Sequence, residues 1–303
     1  MNREAHLRET LPKWLALPFV AEIIVVDWSN CRSLRPLTGL DERVRVIRVV
    51  AESSWLLSHA FNLGISHATN GVVIKCDADA IPAPALACCE ADDSGFYAGH
   101  WRSGRLARKL SMGGQCVVTR AQFQAVNGYS ELIRSYGRDD ADLYGRLMAA
   151  GFERREISPR LFEFIEHSNE ERLANQAAKH RRSETGACVD RFLSRSPAFF
   201  EMMNFYITQA MPWGPSQQRA QFESLHESGN YLELRRRQEL EIVIPAAIES
   251  EAREYSTRIA AQNVLRISEE DFASMDTSAC RDALATWLYG RPDILEKIYR
   301  GAA

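Results

Sequence analysis

Residues Gly71–Pro82 read GVVIKCDADAIP and join an apolar run to two closely spaced acids. The β-forming residues 72–74 predict a buried strand, and Pro82 prevents that strand from continuing in a ladder. Asp77 and Asp79 are therefore expected at the carboxyl end of a central strand, where ligands bind in an open α/β sheet. Two hard oxygen donors there suit Mg²⁺ or Mn²⁺, but two solvated turn acids would give the same pattern.

The segments before this strand alternate between helix and strand patterns. Helical spacing of apolar residues predicts a helix over Arg3–Leu17 and another over Trp55–Ala68. Between them, EIIVVDW at Glu22–Trp28 and RVRVIRVV at Arg43–Val50 predict two strands. This succession predicts the α/β class, with an open, mostly parallel sheet flanked by helices.

The composition changes near Asn169. Lys, Arg, Glu, Gln and Ala dominate from there, and helical periodicity runs through 178–193, 223–242 and 251–267. We therefore predict a catalytic domain over residues 1–168 and an all-helical C-terminal region over 169–303. These helices either pack within the protein or support a homo-oligomer or a partner. The short basic cluster Arg235–Arg237 could also meet anionic lipid.

Composition excludes several classes of protein. A net charge of −3 over 303 residues gives no general case for nucleic-acid binding. Seven cysteines without a CxxC pair indicate a reducing compartment rather than a disulfide framework. No stretch approaches the roughly 20 apolar residues of a membrane span, and the N-terminus lacks an apolar signal core. We therefore expect a cytoplasmic protein, either free or peripheral at the inner face of the membrane.

Further polar residues follow predicted strands or open a predicted helix. Asp27 and Ser29 end the strand at 22–28 and either bind the base or ribose of a nucleotide or simply end the strand. Asp140, in the first turn of the helix predicted over 139–149, could take a proton from an acceptor hydroxyl or stabilise the helix N-terminus. His167 is either a third metal ligand or a structural histidine.

Taken in this order, the motifs resemble the GT-A glycosyltransferases of family 2. They are EIIVVDWSN at 22–30, AFNLG at 60–64, IKCDADAIP at 74–82 and GGQCVVTRAQFQAVNGYSELIRSYGRDDADLYGRL at 113–147. The last of them is similar to the segment shared by chondroitin-polymerase-like enzymes and β-1,4-galactosyltransferases. The resemblance covers about residues 1–170 and implies a GT-A (Rossmann-like) domain that binds a nucleotide sugar.

The resemblance implies a metal-dependent inverting glycosyltransferase. Such an enzyme moves a sugar from a UDP-sugar to a hydroxyl of a glycan or glycolipid acceptor, here in surface polysaccharide synthesis. Mn²⁺ (or Mg²⁺) is expected on Asp77, Asp79 and His167, and Asp140 is expected to be the catalytic base.

The resemblance also implies contacts to both substrates. Nucleotide contacts are expected from Arg3, Asp27, Asn62 and Asp77, and Ser29 is a candidate on its position alone. Acceptor contacts are expected from Asp139 and Tyr136. Two residues depart from the family pattern, since Tyr136 replaces a tryptophan and Arg138 replaces a glycine.

The predicted order of elements departs from the family as well, because the family has a strand before its first helix and this chain opens on the helix. Either translation starts upstream of Met1, or another segment fills that place, or the nucleotide site is damaged. An unfilled central position would leave two rows of backbone groups unpaired, which a stable fold does not accept.

Two other functions compete with glycosyl transfer. A sugar nucleotidyltransferase would share the sheet and a metal-binding acid, but it would need a glycine-rich basic phosphate loop after its first strand, and the sequence shows none there. A non-catalytic, transferase-like carbohydrate-binding or scaffold protein would fit the missing strand.

Overall fold

A computed structural model describes residues 3–99, 114–135, 137–165, 192–193, 197–237, 244–265, 275–289 and 291. The chain divides into two compact units. The first comprises Met1–Arg134, Asp139–Gln176 and Trp213–Leu240, and the second comprises Ser135–Arg138, Ala177–Pro212 and Glu241–Ala303. This division differs from the predicted boundary at residue 168, because residues 213–240 return to the first unit.

The described residues form seven α-helices and ten strands. The helices are α1 (Glu4–Leu15), α2 (Leu57–Ser66), α3 (Arg120–Ala125), α4 (Asp139–Ala149), α5 (Pro197–Ala210), α6 (Ala246–Leu265) and α7 (Thr277–Tyr289). The strands are β1 (Ile23–Trp28), β2 (Val44–Val50), β3 (Val72–Lys75), β4 (Ala80–Pro82), β5 (Gly95–Ala98), β6 (Cys116–Thr119), β7 (Glu153–Glu156), β8 (Phe162–Phe164), β9 (Phe222–Ser228) and β10 (Tyr231–Arg236). The predicted α/β class is confirmed.

One sheet of the first unit has the strand order β1-β2-β10-β9. Strands β1, β2 and β10 are parallel, and β9 is antiparallel to β10. Strand β2 lies between two neighbours, and its apolar residues Val44, Val46, Ile47 and Val49 are buried. Arg45 and Arg48 are only partly buried and lie on opposite faces of β2, and both faces carry buried apolar residues, so the strand lacks the single wet face that an alternating pattern predicts.

The hairpin of β9 and β10 corrects the helix predicted over 223–242. Arg, Glu, Leu and Gln favour helices in isolation, but in β10 Tyr231 and Leu234 lie on opposite faces of the strand and pack into two different apolar clusters. Both are buried, and β10 pairs with β2 far away in the sequence. Gly229 turns the hairpin at a φ of 57°. A distant pairing partner therefore overrides the local helical preference.

The other strands of the first unit form a second four-stranded sheet and a short pair. The second sheet has the order β3-β6-β5-β7, in which only β5 and β7 are parallel. Strands β4 and β8 pair antiparallel beside it. The sheets are thus mixed rather than mostly parallel. The core around β6 includes Phe96, Val118, Phe123 and Leu147, all buried.

Strands β1 and β3 are edge strands of the two separate four-stranded sheets. No described strand pairs with the second side of either one. The expectation that another segment fills the place of the family's first strand is therefore wrong for the described residues. Both edge strands carry apolar side chains that are not fully buried. Ile23, Ile24 and Val73 are partly buried, and Val72 is 46% exposed.

The second unit is helical where it is described. Helix α6 packs against α5 and α7. The buried core of this unit includes Leu193, Ala261, Cys280, Leu284 and Leu288. Helix α5 ends at Ala210, just before the Met-Pro-Trp-Gly-Pro stretch at 211–215. Residues 178–191, part of a predicted helix, lie outside the described residues. None of the described helices combines the length and apolarity needed to cross a bilayer.

Candidate active site

Helix α1 fixes the loop that carries the first two acids. The hydroxyl of Thr10 donates to the carbonyl of Ala78 at 2.9 Å, and the indole N–H of Trp14 donates to the carbonyl of Ala80 at 3.0 Å. The N–H of Ala80 closes a turn on the carbonyl of Asp77 at 3.1 Å. Strand β3 ends at Lys75, so the acids follow a strand end as predicted, but β3 is an edge strand of its sheet and not the buried central strand that the apolar run predicted.

Strand β8 brings the chain past Asp79. Phe164 pairs with Ala80, and the N–H of Ile165 donates to the carbonyl of Asp79 at 3.0 Å. The chain therefore lies beside Asp79 two residues before His167. His167, the predicted third metal ligand, is outside the described residues, and so is Tyr136.

Lys75 joins the acids of the loop to those of helix α4. Its ammonium nitrogen donates to Asp140 Oδ1 at 3.1 Å and lies 3.9 Å from Asp77 Oδ1. It also donates to the carbonyl of Gly114 at 2.7 Å. The hydroxyl of Tyr129 donates to the same Asp140 oxygen at 2.8 Å. Two predicted site residues from distant parts of the sequence, Asp77 and Asp140, therefore meet around one cation.

Gly114 makes this approach feasible. A Cβ atom on Gly114 would lie 3.0 Å from Asp77 Oδ2 and 3.6 Å from Asp140 Oδ2. The Asp77 side chain is 49% exposed and that of Asp140 is 22% exposed, whereas the Lys75 side chain is 2% exposed. The two carboxylates thus reach solvent while the cation between them is buried.

The charges of this cluster shift the pKa values of its members. Burial lowers the pKa of Lys75, but the carboxylates of Asp140, Asp77 and Asp139 raise it to a net position above its ordinary value. Burial and the Asp140 carboxylate raise the pKa of Asp139 to about 7. Burial, followed by Asp140, also raises the pKa of Tyr129. The surroundings therefore favour the charged form of Lys75 and the protonated form of Asp139.

Asp139 lies deeper than Asp140. It is buried at the start of α4, and its Oδ2 atom makes no hydrogen bond within the described chain. Asp142, in the same turn, accepts two bonds from Arg146 at 2.6 and 2.9 Å and supports the helix. Acceptor contact by Asp139 remains a prediction, and Asp140 is the more accessible acid of this helix.

The nucleotide role of Asp27 stays a prediction, and the structure shows this side chain in a set of structural contacts. Asp27 is 1% exposed and accepts hydrogen bonds from the N–H groups of Asn30 and Leu34 at 3.1 and 3.0 Å. Arg48 adds an ion pair at 2.7 Å. With both carboxylate oxygens engaged, Asp27 holds the loop after β1 and presents no surface to a base or ribose.

Ser29 and Asn62 make structural contacts of the same kind, and their nucleotide roles likewise stay predictions. The Ser29 hydroxyl donates to the carbonyl of Val49 at 2.8 Å and accepts from the N–H of Glu52 at 2.9 Å. Asn62 is 2% exposed, and its amide exchanges hydrogen bonds with the backbone of Tyr129 at 2.8 and 2.9 Å. These side chains hold loops to the core. Arg3 precedes α1, and no described contact links it to the acids.

Sequence reasoning missed Lys75, Gly114 and Tyr129 as members of the site. The signal for Lys75 is a lysine at the end of an apolar strand, two residues before an acid. Such a lysine is expected to be buried with its charge next to the acid. Gly114 and Tyr129 were visible only as motif letters, because the carboxylates they contact are distant in sequence.

The donor set of Asp77 and Asp79 agrees in kind with a hard divalent ion, which prefers carboxylate oxygens. Within the residues that the structure describes, no group of three His, Cys, Asp or Glu side chains could hold a metal ion.

Comparison with known proteins finds a similarity over the second acidic segment. Residues 103–170 match the family model described as the N-terminal domain of galactosyltransferase. No curated protein sequence matches the chain.

The chain is also similar to solved structures. One is the catalytic domain of Drosophila β1,4-galactosyltransferase 7 in complex with xylobiose, at 14% identity and a TM-score of 0.46, covering 79% of this chain and 92% of that one. Another is mannosyltransferase PcManGT from Pyrobaculum calidifontis in complex with GDP-Man and Mn²⁺, at 13% identity and a TM-score of 0.46, covering 94% and 82%. The segment with Gly114, Tyr129 and Asp140 is thus similar to the galactosyltransferase family, and the resemblance to GT-A glycosyltransferases is confirmed.

Proposed function

We propose that this protein is a metal-dependent inverting glycosyltransferase that moves a sugar from a UDP-sugar to a glycan hydroxyl. The observation that carries the proposal is the approach of Asp77 and Asp140 to one buried cation, at 3.9 and 3.1 Å. The galactosyltransferase match over residues 103–170, which includes Asp140, supports it. We extend the proposal to a glycan or glycolipid acceptor in surface polysaccharide synthesis, on the motif resemblance alone.

The residues divide into a donor side and an acceptor side. Asp77 and Asp79, together with His167, would hold Mn²⁺ or Mg²⁺. When bound, such an ion offsets the negative charge that builds on a leaving nucleoside diphosphate. Asp140 accepts the proton of the acceptor hydroxyl as the hydroxyl oxygen attacks the anomeric carbon. The attack comes from the face opposite the leaving nucleoside diphosphate, so the configuration at that carbon is inverted. Asp139 and Tyr136 would contact the acceptor.

Release of UDP from UDP-sugars tests the proposal. The protein is incubated with individual UDP-sugars, a glycan acceptor and Mn²⁺, Mg²⁺ or EDTA, and UDP is quantified. We expect metal-dependent release that Asp79→Ala abolishes. Asp140→Asn should lower kcat by a factor of about 10² or more, the usual contribution of a general base, with UDP affinity nearly unchanged.

Asp93→Asn provides the matched control, because Asp93 is an exposed aspartate of the same unit outside the acidic cluster. This variant should keep wild-type activity. Isothermal titration with UDP and Mn²⁺ accompanies the assay. Absence of both UDP binding and UDP release for every donor tested would refute glycosyl transfer.

One observation favours the non-catalytic alternative. Asp27, Ser29 and Asn62 are engaged in hydrogen bonds that hold loops in place, so the side chains expected to bind the nucleoside are occupied. A transferase-like protein that binds carbohydrate without a nucleotide would retain such a core. Titration with glycan oligosaccharides separates the two, because sugar binding without UDP binding would favour the alternative.

A further inference from the structure

Lys75 occupies an unusual position for a lysine. Lys75 is 3% exposed and lies at the end of β3, among the acids of the candidate site. A buried ammonium group is costly unless it is paired, and an apolar residue would serve the strand equally well. The lysine is thus explained by the carboxylates around it rather than by packing.

Four contacts fix the place of the ammonium group. It donates to the carbonyl of Gly114 at 2.7 Å and to Asp140 Oδ1 at 3.1 Å. It lies 4.4 Å from the centre of the Phe61 ring and 5.7 Å from that of Tyr129. Cation–π attraction at these distances adds to the hydrogen bonds. The nitrogen therefore has little freedom to follow a carboxylate that moves.

The two oxygens of Asp140 have different surroundings. Oδ1 accepts hydrogen bonds from both Lys75 and Tyr129, at 3.1 and 2.8 Å. Oδ2 has no hydrogen-bond partner among the described residues and lies near Gly114. One oxygen is thus anchored from two directions, and the other remains able to accept a proton.

We propose that Lys75 is a positioning residue, whose ammonium group anchors Asp140 Oδ1 beside Asp77 and thereby directs Oδ2 towards the acceptor hydroxyl. This inference rests on the proposed glycosyl transfer. It assigns Lys75 to the alignment of the base with the donor side, and no bond to substrate is required of it. Alignment of this kind acts on the chemical step, because a misplaced base binds substrate normally and reacts slowly.

The test combines kinetics with a double-mutant cycle. Lys75→Met keeps the length of the side chain and removes its charge. We expect kcat to fall by a factor of about 10 to 100, with KM for the donor changed by less than about threefold. In the Lys75→Met background, Asp140→Asn should cost far less in kcat than in the wild type, because the two residues act as a unit.

Tyr129→Phe provides a milder second variant, which keeps the cation and removes one of the two bonds to Oδ1. We expect a fall in kcat of about three- to tenfold without a change in KM. Lys13→Met, at an exposed position on α1, is the matched control and should leave both parameters unchanged. Urea unfolding of the wild type, Lys75→Met, Asp140→Asn and the double variant measures the Lys75–Asp140 coupling in stability, independently of activity.

The outcomes separate the two proposals. Non-additive losses in kcat with KM maintained would support the positioning role. Transfer by the wild type with additive losses, or with losses confined to KM, would overturn the positioning role alone. No transfer by the wild type would overturn the proposed function and the positioning role with it, even if the coupling in stability were present.

Discussion

Replacing Asp139 with asparagine is predicted to remove a pH-dependent loss of stability. Asp139 is 7% exposed, and burial and the neighbouring Asp140 carboxylate raise its pKa from 3.8 to about 7. Because the folded value lies above the unfolded value, the folded state keeps a proton that the unfolded state has released. The stabilisation is therefore complete below pH about 4 and is lost as pH rises to about 7.

The magnitude follows from the distance between the two pKa values. Each pH unit between them costs about 1.4 kcal/mol. The full rise from 3.8 to about 7 therefore removes about 4 kcal/mol, of which about 2 kcal/mol falls between pH 5.5 and pH 7. Asparagine remains neutral throughout, so the variant lacks this contribution to the pH slope.

Urea unfolding followed by tryptophan fluorescence checks this prediction at about pH 5.5, 7 and 8.5. The free energy of unfolding of Asp139→Asn relative to the wild type should increase by about 2 kcal/mol between the first two values and then level off. Asp93→Asn, at an exposed position, should show the wild-type slope. Equal slopes for the wild type and Asp139→Asn would refute the reasoning.

Three further substitutions test how the core is held together. Asn62→Ala leaves the backbone N–H and carbonyl of Tyr129 unpaired in the core. The free energy of unfolding in urea should fall by about 3 kcal/mol, and the affinity for UDP should not change. Weaker UDP binding by a fully stable variant would instead support the nucleotide role of Asn62. Trp14→Phe keeps an aromatic side chain but removes the indole N–H that bonds the carbonyl of Ala80 and part of the buried volume, which should cost about 2 kcal/mol in the same assay. Arg236→Met removes the bonds of 2.7 and 3.0 Å that join β10 to the loop after β2. A loss of about 1 kcal/mol is expected, and no loss would mean that strand pairing alone holds the hairpin.

The sequence predicted the acidic part of the site because its signals are local. An apolar run that ends in acids places Asp77 at a strand end whatever the rest of the chain does, and acids at the start of α4 follow the helix dipole. The approach of Asp77 to Asp140 followed from the order of the motifs. Local physics and one resemblance were sufficient for these residues.

The contacts that the sequence did not predict concern residues whose partners are distant in sequence. Asp27 and Asn62 are polar residues in the expected places, but their hydrogen bonds to Leu34, Arg48 and Tyr129 are tertiary contacts that no local pattern reveals. The hairpin of β9 and β10 was missed for the same reason, since its strand character depends on pairing with β2. Tertiary context decides between the uses open to such residues.

The described members of the acidic cluster come from one part of the first unit. Lys75 ends β3, Gly114 precedes β6 and Asp140 opens α4, whereas the candidates on β1 are used to build their own loop. The acid geometry is thus compatible with an active transferase and with a relic that has lost its nucleotide site. The transferase and the non-catalytic protein differ in whether the residues near β1 bind a nucleotide, and not in the positions of the acids. Nucleotide affinity therefore separates these two functions.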